Sequence, residues 1–182
     1  MDYKKKSIIV KLGIVIVIIS SSLLNGHLQM NKKANQVEKI FMEGDDEYHL
    51  SIHYDLEKID DTLSYTISLA KANQQESNQY IKKIQTLHKE FSTLKDIDDF
   101  SVCYQNIKDI FPLAISHLES VQLSKEHRGM LAKYKATYNS ATHTIAYSSY
   151  NDYVREYEKE TDGIIAGFVK KVTNVKKVKT FD

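Results

Sequence analysis

The chain has 182 residues, enough for one domain of about 150 residues behind an N-terminal apolar segment. Six glycines and one proline are too few for the turns of an all-β sandwich or barrel, so the composition favours an all-α fold. A formal net charge of +1 argues against a basic nucleic-acid-binding domain, and a single cysteine excludes an intrachain disulfide and a thiolate-rich metal site within one chain.

The N-terminal segment is typical of a membrane anchor. Three lysines at 4–6 precede an apolar run at residues 7–24, in which Lys11 is the one charged residue. A run of this length approaches what is needed to span a hydrocarbon core of ~30 Å, and a lysine near its edge can extend to the headgroups. A cleavable signal peptide is the alternative, because a basic start, a short apolar run and serines at 20–22 also fit that pattern. We predict a retained transmembrane helix within residues 1–27.

Apolar residues then recur every three or four positions through most of residues 28–163, which predicts an antiparallel bundle of about four long helices. The first of these helices is expected to run without interruption from about Leu28 to Ala70. A polar stretch at residues 73–78 separates it from a second helix at about residues 80–94.

The third predicted helix has an apolar stripe from Phe100 to Leu118, with Asp98 or Asp99 as its N-cap. Pro112 lies inside this stripe, so we expect a kink or a break there. The fourth helix begins near Ser124, and its stripe continues to Tyr157. The dipeptide at 162–163 then ends the pattern before an apolar and basic tail at residues 164–182.

Several motifs near the C-terminus occur together in a recognisable order. The sequence YNDYVREY at 150–157 is followed by IIAGF at 164–168 and by a closing Phe181-Asp182 pair, while NQVEKIF at 35–41 and YDL at 54–56 form a weaker set. These motifs resemble those of the LemA family. The resemblance implies a bacterial cell-envelope protein in which an N-terminal membrane helix leads into a helical bundle. The family's molecular role is not established, so no reaction or ligand is implied.

The chain also departs from the LemA pattern. The family's proline after Asp-Leu-Ile is missing, since Leu56 is followed by Glu57, and His53 stands near the place of its paired arginines. The usual glutamate and arginine before the YN motif are absent from residues 142–149. We therefore interpret the chain as a divergent member of the family.

Two groups of residues could in principle bind a cation. His49 and His53 are four residues apart, a spacing that lets two imidazoles reach one metal, but Leu50 stands where a metalloprotease has glutamate. We interpret both as partly buried structural histidines, with a metal site as the alternative. The other group is acidic and comprises Glu43, Asp45, Asp46 and Glu47. It lacks the glycine and the alternating oxygen ligands of a calcium-binding loop, so we interpret it as a solvated face.

Cys103 lies on an apolar stripe, so we interpret it as a small core residue rather than a nucleophile. Tyrosines recur at helical spacing near the fourth helix, and we expect them to pack in the core with their hydroxyls on polar partners. An exposed aromatic groove for a partner is the alternative. These tyrosines are Tyr134, Tyr138, Tyr150, Tyr153 and Tyr157.

The tail combines valines spaced by three residues with lysines between them. The valines are Val169, Val172, Val175 and Val178, and the lysines are Lys170, Lys171, Lys176, Lys177 and Lys179. Because valine has a modest helix propensity, we expect a solvated and frayed tail. A surface-seeking amphipathic helix and docking on the acidic first helix are the alternatives.

The sequence contains no serine or cysteine triad motif, no phosphate-binding glycine loop and no dinucleotide fingerprint. We therefore predict a protein that is not an enzyme, with no catalytic, cofactor-binding or metal residues. The expected function is an interaction scaffold that self-associates or binds a protein partner at the cell membrane, without nucleic acid. A sensor that binds a small ligand or metal is the alternative.

The orientation in the membrane is predicted from the lysines that flank the apolar run. Lysines at 4–6 favour a cytoplasmic N-terminus and an extracytoplasmic domain, although Lys32, Lys33 and Lys39 lie on the other side. The LemA resemblance implies the opposite, an external N-terminus. We favour the extracytoplasmic side for the helical domain.

Overall fold

Seven α-helices account for most of the residues that the computed structural model describes, which are 3–45 and 51–181, with side chains described from residue 7. No strand occurs in these two ranges, so the prediction of an all-α fold is confirmed. The helices are α1 (Tyr3–Glu43), α2 (Ile52–Ala72), α3 (Gln79–Phe91), α4 (Ile97–Ser120), α5 (Lys125–Ala146), α6 (Tyr150–Glu160) and α7 (Ile164–Thr173).

The chain leaves helix α1 at Gly44, whose φ of 85° lies in the left-handed region that glycine adopts without steric cost. Ser51 then forms the N-cap of α2, where its Oγ accepts a hydrogen bond of 3.1 Å from the Tyr54 amide. The same hydroxyl donates to the Met42 carbonyl at 2.7 Å, so one side chain joins the end of α1 to the start of α2. The prediction of one uninterrupted helix over residues 28–70 is therefore wrong.

Helices α2 to α5 form the bundle. Helix α2 contacts α3 and α5, and α4 contacts the same two helices. The Nδ1 atom of His127, at the start of α5, lies 3.0 Å from Oδ1 of Asn73, at the end of α2. Farther along, Tyr65 of α2 stacks on Tyr134 of α5 with ring centroids 5.5 Å apart. Since the end of α2 meets the start of α5, these two helices are antiparallel.

Helix α4 continues through Pro112 to Ser120, so the proline does not break it. A proline removes one main-chain hydrogen bond, and here the apolar neighbours Phe111 and Ile115 are both buried and hold the helix in the core. The prediction of Asp98 or Asp99 as the N-cap is wrong. Asp96 occupies the N-cap position, while Asp98 and Asp99 lie in the first turn, where carboxylates favour the helix dipole.

The start of the fourth predicted helix is confirmed, because the Ser124 Oγ accepts a hydrogen bond of 3.1 Å from the His127 amide. Its predicted end at Tyr157 is wrong. Helix α5 ends at Ala146, and α6 begins at Tyr150 after a short turn. The apolar spacing continues across this turn, so periodicity alone did not reveal it.

The described chain divides into two compact units. The terminal unit contains α1 up to Lys39 together with Asp152–Val178. The bundle unit contains Ile40–Asn151 and the residues from Lys179 onward. The predicted domain limits at residues 27 and 163 stay predictions, since backbone compactness does not test where a membrane anchor ends.

Candidate functional site

The first half of α1 is an exposed apolar helix. Its large apolar side chains from Ile8 to Ile19 are 51–63% exposed. By length and composition, the helix described from Ser7 to Glu43 is able to cross a membrane, and none of its most apolar window is buried. A signal sequence has the same features, so these observations agree with a membrane anchor or with a signal peptide.

Within the terminal unit, α7 packs against α1 just beyond this apolar run. Val169 is 3% exposed. A Cβ atom added at Gly26 would lie 3.3 Å from Cγ2 of Val169, so the glycine allows the two helices to approach closely. Beside this contact, Nδ1 of His27 lies 3.0 Å from the Thr173 hydroxyl. A helix is thus docked on α1 where a frayed tail was expected.

The segment after α7 returns along α1. The Lys176 amide donates a hydrogen bond of 2.9 Å to Oδ1 of Asn31, and the Lys176 ammonium group pairs with Glu38. From the other side, the Tyr157 hydroxyl donates to the Lys176 carbonyl at 3.2 Å. The prediction of a solvated tail is therefore wrong. The alternative prediction, that the tail docks on the first helix, is correct for the segment after α7.

Phe181 lies in an aromatic cluster of the bundle unit. The ring of Phe181 lies 5.4 Å from that of Phe41 and 5.5 Å from that of Tyr104, measured between centroids. The Tyr150 hydroxyl donates to the Lys179 carbonyl at 2.9 Å, and Asn151 bonds to the Phe181 main chain. The YN motif and the terminal phenylalanine, far apart in sequence, thus meet in space.

The predicted core role of the tyrosines is confirmed for three of them. Tyr138, Tyr150 and Tyr157 are buried, and the hydroxyls of the last two donate to main-chain carbonyls. Tyr138 stacks on Phe111 with centroids 4.2 Å apart. Burial raises the pKa of Tyr138 and of Tyr157 because it disfavours the charged phenolate. Tyr134, by contrast, is half-buried and lies on the surface groove described below.

Cys103 is a core residue, as predicted. It is 1% exposed, and its sulfur lies 4.0 Å from the Leu87 carbonyl. Burial raises the pKa of the Cys103 thiol to about 11, and the charges of Glu90 and Asp60 add to the effect. The group is therefore a neutral thiol at physiological pH and is a poor nucleophile.

The predicted structural role of His53 agrees with its surroundings. Its side chain is 22% exposed, its ring lies nearly perpendicular to that of Phe100 at 5.4 Å, and its Nδ1 is 3.9 Å from a carboxylate oxygen of Glu57. His49 lies outside the described residues, so the pairing of the two histidines stays untested. Among residues 3–45 and 51–181, no three His, Cys, Asp or Glu side chains converge as metal ligands would.

The acidic group near residue 45 differs in part from the prediction of a solvated face. Asp45 is 5% exposed and accepts a hydrogen bond from the Ser149 hydroxyl, so this carboxylate is part of the core. Glu43 is exposed at the end of α1, as predicted. Asp46 and Glu47 lie outside the described residues.

A partly buried polar contact joins α2 to α3. Nδ1 of His88 lies 2.7 Å from Oδ1 of Asp60. Burial raises the pKa of Asp60, and the hydrogen bond and charge of His88 act in the opposite direction without cancelling the effect. This pair fixes the packing of two bundle helices.

Tyr134 lies in a shallow groove between α2 and α5, in agreement with the alternative prediction of an exposed aromatic groove. The groove has a volume of about 330 Å³, and the stacked rings of Tyr65 and Tyr134 form part of its lining. Lys58 and Lys133 stand on its two sides, with Asp61 beside them. The tyrosine periodicity placed Tyr134 on an apolar stripe, but only the antiparallel pairing of the two helices brings Tyr65 beside it.

Comparisons with protein-family models, with curated proteins and with solved structures found no match for this chain.

Proposed function

We propose that this chain is a non-enzymatic interaction scaffold, tethered to the bacterial cell membrane by one N-terminal span and exposing its helical domain on the extracytoplasmic side. The observation that carries the proposal is the exposed apolar half of α1, which is continuous with a second half packed against α6 and α7 side chains such as Glu160 and Val169. Water disfavours an apolar helix that no protein surface covers, whereas a bilayer solvates it. A retained span then positions the packed domain at the membrane.

The proposal includes membership of the LemA family as a divergent member. Support comes from the structural roles of the residues that resemble the LemA motifs. Tyr150, Val154 and Tyr157 are all buried, and Asn151 holds the main chain of Phe181. Tyr150 and Asn151 of the YN motif thus hold the main chain at Lys179 and Phe181, and Tyr157 holds it at Lys176.

The non-enzymatic part of the proposal is supported by the state of two reactive groups in the bundle unit. The Cys103 thiol is buried and protonated at physiological pH, and the Asp60 carboxyl is engaged with His88. These groups stabilise helix packing.

The groove between α2 and α5 is the surface that we assign to a protein partner. Tyrosine is enriched in the centres of protein interfaces, and Tyr65 is 52% exposed although it stacks on Tyr134. Lys58 on one side is paired with Asp55 at 2.9 Å, and Lys133 on the other side favours a partner segment that presents a carboxylate beside an apolar side chain.

Crosslinking tests this surface in the full-length protein in its own membrane. A photoreactive phenylalanine analogue at Tyr65 is expected to give one defined adduct, and the same analogue at Tyr147, which is 72% exposed, is the control. The adduct should disappear when Tyr134→Ala and Lys133→Glu are added. Equal adducts from both positions, or persistence of the adduct in the altered groove, would count against the assignment.

A small-ligand sensor is the second candidate, favoured by the same groove. Its volume of about 330 Å³ is at the lower end of the range for small-molecule sites, roughly 300–1,000 Å³. A ligand that binds there would raise the melting temperature of the unaltered chain but not that of a Tyr134→Ala variant. If every compound that stabilises the chain stabilises the variant equally, the groove is not its binding site.

Protease accessibility tests the location. In intact spheroplasts, added protease is expected to digest the domain after residue 28, with a lysed sample as the positive control. Protection until lysis would place the domain in the cytoplasm. Release of the domain into the medium without protease would indicate a cleaved signal peptide and contradict the tether.

A further inference from the structure

Helix α7 has an apolar face that is not covered in the part of the chain that the structure describes. Ile164 is 95% exposed, Ile165 is 81% exposed, and Phe168 and Val172 are each 57% exposed. At 3.6 residues per turn these four side chains fall within an arc of about 100° on one side of the helix. Contiguous exposed apolar side chains of this kind mark a binding surface.

The other sides of α7 have different environments. Val169 is buried against Gly26 of α1 and defines the side that docks on protein. At about 100° per residue, Lys171 lies roughly opposite Val169 and is exposed, whereas Lys170 is half-buried with its ammonium group 5.8 Å from the centre of the Tyr157 ring. Helix α7 therefore has a protein-facing side and an uncovered apolar side, with the exposed Lys171 at the border of the apolar side.

The docking contact fixes the position of α7 along α1. An apolar groove between the two helices is lined by Ser22, Gly26 and Met30 on one side and by Ile164 and Ile165 on the other. Ser22 belongs to the apolar run, and Gly26 lies two residues past its end at Leu24, which is about 3 Å along a helix axis. Helix α7 therefore lies level with the end of the segment that we assign to the membrane.

The path of the C-terminal segment leads to the same position. Glu160, at the end of α6, pairs with Lys33, and Lys176, after α7, pairs with Glu38. Between these two contacts α7 packs against Gly26. Helix α7 is thus the part of this segment that lies closest to the apolar run.

We propose that α7 is an interfacial membrane helix, and that the bilayer crossed by α1 covers its face of Ile164, Ile165, Phe168 and Val172. The inference rests on the proposed membrane tether. The occupant is lipid because the face continues the apolar surface of α1 at the depth where acyl chains meet headgroups. Lysines beside such a face extend their ammonium groups towards phosphates and water, as Lys171 is free to do on its exposed side.

Tryptophan fluorescence tests the proposal, because the chain contains no tryptophan of its own. Three single variants of the full-length chain are reconstituted in vesicles of phosphatidylcholine and phosphatidylglycerol. Phe168→Trp reports on the proposed lipid-facing side of α7. Gly167→Trp is its matched control, since no atom lies within 4 Å of a Cβ at this neighbouring position. Ile16→Trp reports on the apolar run of α1.

Quenching is then measured with lipids brominated at shallow or deep acyl positions. We expect the Phe168→Trp emission to be blue-shifted and quenched mainly by shallow bromines, Gly167→Trp to be quenched less, and Ile16→Trp to be quenched mainly by deep bromines. A Val172→Trp variant should repeat the Phe168→Trp result if that substitution disturbs folding.

Three outcomes would overturn the proposal, and they differ in what they say about the tether. If Ile16→Trp is quenched while Phe168→Trp and Val172→Trp emit as in water, the tether stands and α7 does not enter lipid. If the α7 variants are blue-shifted but unquenched, protein covers the face. If Ile16→Trp is also unquenched, the membrane tether itself fails.

Discussion

The side chain of Asn151 and the main chain of Phe181 form two hydrogen bonds, with the Asn151 Nδ2 group donating to the Phe181 carbonyl and the Phe181 amide donating to Oδ1, each at 2.8 Å. One amide side chain thereby satisfies both main-chain groups of a residue near the end of the chain. The Phe181 ring is 4% exposed and packs on Phe41. Phe181 is therefore part of the core of the bundle unit.

Replacing Asn151 with alanine should loosen this end of the chain. Both main-chain groups of Phe181 lose their partner, and we expect a loss of about 1–3 kcal/mol in the free energy of unfolding. Hydrogen exchange at the Phe181 amide and urea unfolding of the detergent-solubilised chain measure the effect. Asn139→Ala, at an exposed position of α5, is the matched control. Unchanged exchange at Phe181 would show that aromatic packing alone holds the terminus.

A bulky side chain at Gly26 should displace α7. A Cβ at this position already lies 3.3 Å from Val169, so Gly26→Leu cannot be accommodated without movement of the helix. We expect faster hydrogen exchange throughout residues 164–173. Gly13→Leu, in the same helix but with nothing within 4 Å of its Cβ, should leave that exchange unchanged. A double variant with smaller side chains at the contact, Gly26→Ala with Val169→Ala, should keep α7 docked on α1.

The Cys103 thiol should react slowly in the folded protein. Because burial raises its pKa to about 11, the thiolate fraction near pH 8 is about a hundredfold below that of the unfolded chain. Alkylation by iodoacetamide is therefore expected to be slower than in urea by at least this factor. The raised pKa also stabilises the fold at neutral pH, and this contribution is lost as the pH rises towards 11. Equal rates in buffer and urea would contradict the buried position.

Asp60 should make the fold less stable as the pH rises through the acid range. Its pKa is raised above the ordinary value of 3.8, so the folded state binds the proton more tightly than the unfolded chain. The resulting stabilisation is complete below the ordinary pKa and is lost as the pH rises through the folded-state pKa. Urea unfolding at a series of pH values should show this slope in the unaltered chain and lose it in Asp60→Asn.

The control for this experiment is Asp109→Asn, at an exposed position of α4. That variant should keep the same pH dependence as the unaltered chain. If the unfolding free energy of Asp60→Asn keeps the same slope with pH, the pH dependence belongs to another group.

The local sequence was sufficient to predict helix ends that are set by nearby capping or polar residues. Polar residues 73–78 ended α2, and Ser124 capped α5, because a cap and a polar linker act within a few positions of the chain. The all-α class followed from the scarcity of turn residues. The apolar run of membrane-spanning length was also predictable from local sequence, since its length and hydropathy do not depend on tertiary contacts.

The interruptions within continuous apolar stripes were not predictable in the same way. The stripe passes through Gly44 and through the turn between Ala146 and Tyr150 without a change of spacing. At Gly44, the left-handed conformation and the cap by Ser51 end one helix and begin another. A glycine permits that conformation but does not require it, so packing decided the break.

By itself, the sequence determined the helical class, the apolar N-terminal run and the small, buried role of Cys103, because each depends on composition or on local spacing. Tertiary structure alone decided that α7 docks at Gly26, that Asn151 holds Phe181, and that Tyr65 meets Tyr134 in a groove. These contacts join residues that are far apart along the chain. Their free energy comes from complementary shape and paired polar groups, which a one-dimensional pattern does not contain.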